Sequence, residues 1–382
     1  MSQKQNDNLV SENSKYLLGF SLIPEIGPAR FQKIIENFAS IEEAWNSSEA
    51  KLAEIFGNKL AQKILTYKNK VELKKELDLL EKESIDIISP QLPFKDFPGI
   101  NSEYFPEKLQ EIHSVPFILF CRGNLELLQK NQLAIIGSRR PTHYGKQVLE
   151  KLAPEIALSG LIITSGLAMG IDSLAHRMAL ENQQPTLAVL GSGLGQKILR
   201  KSFNYRLGEE IIEKNGLLIS EYPPNFEASK FTFPARNRII SGLSLGVLIV
   251  EAAERSGTLI TARHALEQGR EVLVIPGNIF SQQSIGTNNL IKQGAQPVTS
   301  SNDVLRSLNW KITSSDQTEN SEKAEFEDAT EALIYNKLSF DPQPLDKLVS
   351  KCKLDISSIS IKLSMLELKG MVKDVGGGYI RN

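Results

Sequence analysis

From Gln132 onward, short apolar runs alternate with longer stretches in which apolar residues recur every three or four positions. The runs fall at residues 133–136, 161–164, 186–190, 217–219, 247–250 and 272–275. A strand that is apolar at nearly every position is covered on both faces, as in a parallel sheet. Stretches 145–159, 171–182, 203–215 and 259–268 carry the helical period. Repeated strand–helix units with glycine at the strand exits predict an α/β fold, a doubly wound, Rossmann-like, mostly parallel sheet.

The flanks read differently. Residues 1–14 are polar and predict a frayed end. The text over 23–38 predicts a short helix, a Gly27-Pro28 turn, and a second helix with Phe31, Ile34, Ile35 and Phe38 on one face. This is a helix-hairpin-helix pattern, SAM-like in size. Its turn can offer backbone amides to a phosphate, or the hairpin can serve only as a packing module. Trp45, Leu52, Ile55, Phe56, Leu60 and Ile64 extend the helical domain, set at 8–70. A charged amphipathic helix over 70–82 opens a connector, 71–125, rich in proline and aromatics, with one short strand near its end. The sheet domain is set at 126–308, and the polar stretch 309–328 predicts a flexible linker. Residues 329–382 hold three short helical texts and a glycine-tipped hairpin, which together predict a winged helix. The third of these helices offers Ser357, Ser358, Ser360 and Lys362, a sparse set for reading a major groove. Protein interaction and weak DNA contact both stay open for it.

Composition narrows the function classes. The formal net charge of −1 over 382 residues means that any nucleic-acid binding must come from a local patch. Two cysteines far apart and four scattered histidines argue against a disulfide framework or zinc site, and fit a reducing cytoplasm. No secretory h-region and no run of eighteen apolar residues is present, so neither export nor a membrane partner is expected.

In a doubly wound sheet, ligands bind beyond the carboxyl ends of the strands. Those exits read Gly137-Ser138-Arg139-Arg140, then 165–172 (SGLAMGID), 191–195 (GSGLG), Glu251-Ala252-Ala253 with 255–258 (RSGT), and Pro276-Gly277-Asn278. Small residues let backbone approach a ligand, and their amides can cradle phosphate oxygens. In FPARNRIISG, 233–242, Pro234 suits a helix entry and places Arg236, Asn237 and Arg238 in a first turn, an arrangement suited to clamping phosphate. An ordinary helix start with solvated arginines is the competing reading. The 191–195 glycines are a poor dinucleotide fingerprint: they follow the third strand, and no acid ends a strand twenty residues on. Asp172 and His176, spaced i and i+4, form either an acid–base pair or a cap with a histidine packed beneath it. Glu251 and Glu254 are catalytic carboxylates or structural ones. No serine, cysteine or histidine has a convincing catalytic partner, so neither an enzyme nor a cofactor is indicated.

Taken together, GSRRPTHYG, SGLAMGIDSLAH, AVLGSGL, SEYPP, FPARNRIISGLS, VEAAERSGTLITARHALEQGREV and PGN…GTNNLIKQGA resemble, in order, the DNA-processing protein A (DprA/Smf) family. The resemblance runs from about residue 133 to 297, and the flanking helical and winged-helix segments resemble those of longer members. It implies a cytoplasmic, homodimeric protein that binds and protects single-stranded DNA during natural transformation and helps load a RecA-type recombinase. It implies no catalytic activity. The DNA-binding residues it implies are Gly137, Ser138, Arg139, Gly166, Lys230, Arg236, Asn237 and Arg238. The sequence does not place the dimer surface, although Leu259, Ile260, Leu266 and Val272 lie in a region where one could form.

The text departs from the family at 193–204 (GLGQKILRKSFN), where Gly195 stands for the usual Asp and the Tyr-Pro pair is missing. Asn204 is a candidate for the family asparagine. Lys197, Arg200 and Lys201 either add phosphate contacts or record drift in an exposed loop. Two other function classes stay open. A nucleotide phosphoribohydrolase would show PGGxGTxxE, whereas this chain has PGN and, at 288–289, Asn-Asn. A transcription factor would read duplex DNA through the winged helix.

Overall fold

The computed structural model describes residues 15–92, 99–310, 328–339 and 342–381. The predicted frayed end, 1–14, and most of the predicted linker, 311–327, lie outside the described residues. The chain divides near residue 312 into two compact units.

The first unit contains one sheet. Its strands are β1 (Asp86–Ile88), β2 (Leu119–Gly123), β3 (Gln132–Ile136), β4 (Ile162–Ser165), β5 (Thr186–Leu190), β6 (Leu217–Ser220), β7 (Gly246–Ile249), β8 (Glu271–Val274) and β9 (Gln296–Pro297). The spatial order is β1-β2-β6-β5-β4-β3-β7-β8-β9. Strands β3 to β9 pair in parallel with one another, and all six predicted strands are present within a residue at either end. Alternation along β3 sends Leu133 and Ile135 to one face, under the His143–Leu158 and Ile171–Glu181 helices. Ala134 and Ile136 face the Thr232–Leu243 and Thr258–Glu267 helices. Both faces are dry, which is why the strands read as unbroken apolar runs.

Two boundaries differ from expectation. Segment 71–125 belongs to the sheet: besides the expected short strand, β2, it supplies β1, and β2 pairs antiparallel with β6, Phe120 against Ser220. These strands cover an edge that β6 would otherwise expose. The five-residue β2 is the short strand expected near the end of this segment, whereas the three-residue β1 carries too little periodicity to be read. The N-terminal helices form the predicted hairpin, with Pro28 at the first position of the Pro28–Asn37 helix. Their core, however, is shared with the sheet. Phe20, Phe31, Ile34 and Trp45 cluster with Phe120, Ala188 and Leu218, and the Phe31 and Phe117 rings stack at 4.1 Å.

The second unit has the predicted winged-helix composition: helices Ala329–Lys337, Leu345–Cys352 and Ile356–Leu368, then the hairpin β10 (Val372–Asp374) and β11 (Tyr379–Arg381). Ile334, Leu348, Ile359, Leu363, Leu366 and Val372 close its core.

Candidate functional site

Chain order reverses at β3, moving outward to β6 on one side and returning to β7 on the other. Beyond the carboxyl ends of β3 and β7, at that switch point, lies a cleft of about 810 Å³. Gly137, Ser138 and Arg139 from the β3 exit line it, together with Lys230, Asn237 and the buried Arg236. Residues 256–258, at the start of the Thr258–Glu267 helix, line it as well. An adjoining cleft of about 420 Å³ shares Arg139 and Phe233 and includes Gly166, Lys201, Phe203 and Asn204. Seven of the eight implied residues therefore line one of two neighbouring clefts.

Arg238 does not. Its guanidinium pairs with Glu221 at 2.5 and 2.6 Å, and it lines a different groove, beside the N-terminal hairpin. The cause is where the helix begins. It starts at Thr232, not at Pro234, because Ser229 and Thr232 form an entry turn: Thr232 N–H donates to Ser229 O, and Ser229 N–H to Thr232 Oγ1. Both arginines thus fall in the second turn rather than the first. Two positions apart on a helix, they point to different sides.

Arg236 reaches the cleft floor but is 4% exposed. It donates to the carbonyls of Gly166 and Val189, joining the exits of β4 and β5. Burial draws its pKa down to about 10, opposed by the Asp172 carboxylate, so it remains a cation at neutral pH. Burial pushes the Asp172 carboxyl up against the pull of Arg236, and its Oδ2 accepts from Gly166 N–H at 3.2 Å. A Cβ on Gly166 would lie 2.5 Å from Arg236 Nη2 and 2.7 Å from Asp172 Oδ2, so any larger residue would push one of these groups aside. Gly170, at φ +84°, lets the same turn press onto Ser138 O. Asn204 donates from Nδ2 to Leu167 O at 3.0 Å and so supports the turn from below, where Leu167 holds a left-handed φ of 52°.

The other candidate acids and bases serve the scaffold. Glu251 is buried and accepts from Thr142 N–H at 2.8 Å and from Thr142 Oγ1–H, fixing the start of the His143–Leu158 helix. His176 is fully buried. Thr186 Oγ1 donates to Ile163 O, so it accepts from His176 Nδ1–H, and burial together with Arg236 lowers the imidazole pKa to about 3. Of the 191–195 glycines, Gly193 and Gly195 are consumed by packing. Gly193 N–H donates to Phe226 O and Gly195 N–H to Pro224 O, and a Cβ on either would meet a proline carbonyl. Their amides are spent on protein rather than offered to phosphate. Asn288 exchanges hydrogen bonds of 3.3 and 3.1 Å with the Gly277 backbone and secures the exit of β8.

What faces solvent is cationic and aromatic. Arg139, Arg140 and Lys230 are exposed, and Arg139 lies 5.5 Å from the Phe233 ring centroid. Phe231 and Phe203 are 74% and 83% exposed, unusual for phenylalanine. These aromatics were missed in the sequence, although the interleaving of Lys230-Phe231-Thr232-Phe233 is the signal that could have found them. Lys201 pairs with Glu227 at 2.5 Å, whereas Lys197 and Arg200 are exposed. In the suggested dimer region, Val272 is interior to β8, while Ile260 and Leu266 are exposed. In the winged helix, Lys362 is tied to Asp328 at 2.7 Å, and Lys369 to Glu331 at 2.9 Å. Among the described residues, no helix is long and apolar enough to cross a membrane. None of their His, Cys, Asp and Glu side chains form a group of three able to hold a metal.

The family model described as DNA recombination-mediator protein A matches residues 97–309, and that of the DprA winged helix domain matches 318–378. Protein Smf of Escherichia coli is 40% identical over 286 residues, covering 74% of this chain and 76% of that protein. Protein Smf of Synechocystis is 31% identical over 97% of this chain and 98% of its own length. The crystal structure of DNA processing protein A from Streptococcus pneumoniae superposes with a TM-score of 0.64 at 34% identity, covering 78% of this chain and 99% of that chain. With more than half of its length in the family model and a relative matched nearly end to end, this chain belongs to the DprA/Smf family of DNA-processing proteins.

Proposed function

We propose that this protein is a non-enzymatic mediator of DNA recombination that binds and protects single-stranded DNA in the cytoplasm. It would act as a homodimer through the Ile260 and Leu266 face and help load a RecA-type recombinase. One observation carries the reading. The cleft at the switch point combines exposed Arg139 and Lys230, a buried cation at its floor, and exposed phenylalanine beside it. Lysine and arginine hold phosphates of any sequence, and aromatic faces stack any base that is not already paired. Bases inside a duplex are stacked on each other and cannot use Phe231 or Phe203. The carboxylates and histidine nearest the cleft are committed to the scaffold, which favours binding over chemistry. Of the implied site, Gly137, Ser138, Arg139, Lys230 and Asn237 are assigned to DNA contact, Gly166 and Arg236 to the floor. Arg238 is assigned to the Glu221 pair.

The test is fluorescence anisotropy with labelled oligo-dT and a duplex of equal length. Preference for the single strand, reduced by Phe231→Ala, is the expected result. Preference for duplex would overturn the reading and direct attention to the winged helix.

A further inference from the structure

We propose that the N-terminal helical layer carries a second site for a nucleic-acid phosphate backbone, in the groove between the Pro28–Asn37 and Asn58–Lys70 helices. This extends the reading of the chain as a DNA-binding protein and rests on it. The groove, about 510 Å³, is lined by Arg30, Lys33, Lys59 and Lys63 and by one carboxylate, Glu25. Glu25 pairs with Lys63 at 2.5 Å. Arg30, Lys33 and Lys59 have no carboxylate within ion-pair distance among the described residues, and all three are exposed. A local excess of positive charge on a chain of net charge −1 is a patch in the sense that nucleic-acid binding requires.

The sequence of the two helices strengthens the case. Asn58–Lys70 holds four lysines and no acid, and neither helix has an acid in its first turn or a side-chain cap. Their neighbours are built the opposite way. Ile41–Asn46 and Glu49–Phe56 begin at Ser40 and Ser48, which cap them, and carry glutamate in the first turn. Cations beside a helix N-terminus oppose the macrodipole, and a bound anion relieves both. Three of the four cations are lysines, point charges that suit a run of phosphates better than a planar carboxylate.

Full-length protein with Arg30→Ala, Lys33→Ala and Lys59→Ala tests this, since Lys63 and its Glu25 pair stay intact. Short oligo-dT that fills only the sheet cleft should bind as before. Long oligo-dT should bind more weakly, with the log–log salt slope reduced by about 2, at roughly 0.7 for each phosphate no longer neutralised. The charge-conserving variant Arg30→Lys, Lys33→Arg, Lys59→Arg should restore both. An unchanged slope with the long probe, or an equal loss with both probes, overturns this site and leaves the cleft in place. Stronger binding of poly-glutamate than of the long oligonucleotide would reassign the groove to an acidic protein and also overturn it. Insensitivity of the short probe to Arg139→Ala removes the cleft reading alone, and wild-type protein that binds neither probe removes both.

Discussion

Arg236 shows how a residue with the right chemistry takes a supporting role. Its two carbonyl acceptors belong to different strand exits, and its neighbour Asp172 holds the turn between them. Arg236→Ala leaves buried acceptors without a donor and should cost about 3–5 kcal/mol. A lower urea midpoint would show it. Weaker DNA binding at unchanged stability would instead make Arg236 a direct ligand. His176 gives a second residue-level test. Its folded pKa of about 3 lies below its unfolded value, so its contribution is present above about pH 6.5 and lost as pH falls toward 3. Between pH 6.5 and 5 the loss should be about 2 kcal/mol, and His176→Gln should flatten that part of the stability profile. An unchanged profile would mean that the imidazole protonates while still folded. The packed histidine was one of the two readings open for Asp172 and His176, but the role of Arg236 was not legible in the sequence. Arg236 and Arg238 look alike in FPARNR, and only the true helix start, set by Ser229 and Thr232, separates them.

The strongest sequence signal at the level of elements was burial on two faces. It gave β3 to β8 to within a residue, because a strand covered on both sides must be apolar throughout. The apolar text before Gly123 also gave β2, but nothing gave β1, which is three residues long and set beside prolines. Glycine positions were legible as strand exits but not by purpose. Gly166 and Gly170 admit close approach of Arg236 and Ser138, whereas Gly193 and Gly195 admit proline carbonyls. A sequence shows both kinds alike, since what approaches each glycine comes from a distant part of the chain. The winged helix was legible in outline, yet its sparse cations are further reduced in practice. Lys362 is held by Asp328, and Ile361, Met365 and Leu368 are exposed on the same helix. This surface is poorly suited to groove reading, which favours the sheet cleft as the principal DNA site.

The molecule as a whole carries almost no net charge, so any strong salt dependence must arise from local cations. Among the described residues of the first unit, the switch-point cleft and the groove of the helical layer are two such places, and exposed Phe231 follows the cleft residue Lys230 while exposed Phe203 lines the adjoining cleft. The fold positions that cleft by topology. Strand order reverses at β3, glycine turns clear the space beyond it, and Arg236 ties the neighbouring exits together. Binding of single strands should then depend on Arg139 and Lys230 through charge rather than through folding, since both are exposed. The measurement that tests this most directly is oligo-dT affinity across a salt series for wild-type protein and for Arg139→Ala with Lys230→Ala. The account predicts weaker binding with unchanged urea stability, and a log–log slope shallower by about 1.4, from two phosphates at roughly 0.7 each. An unchanged slope and affinity would contradict it and place the DNA elsewhere on the molecule.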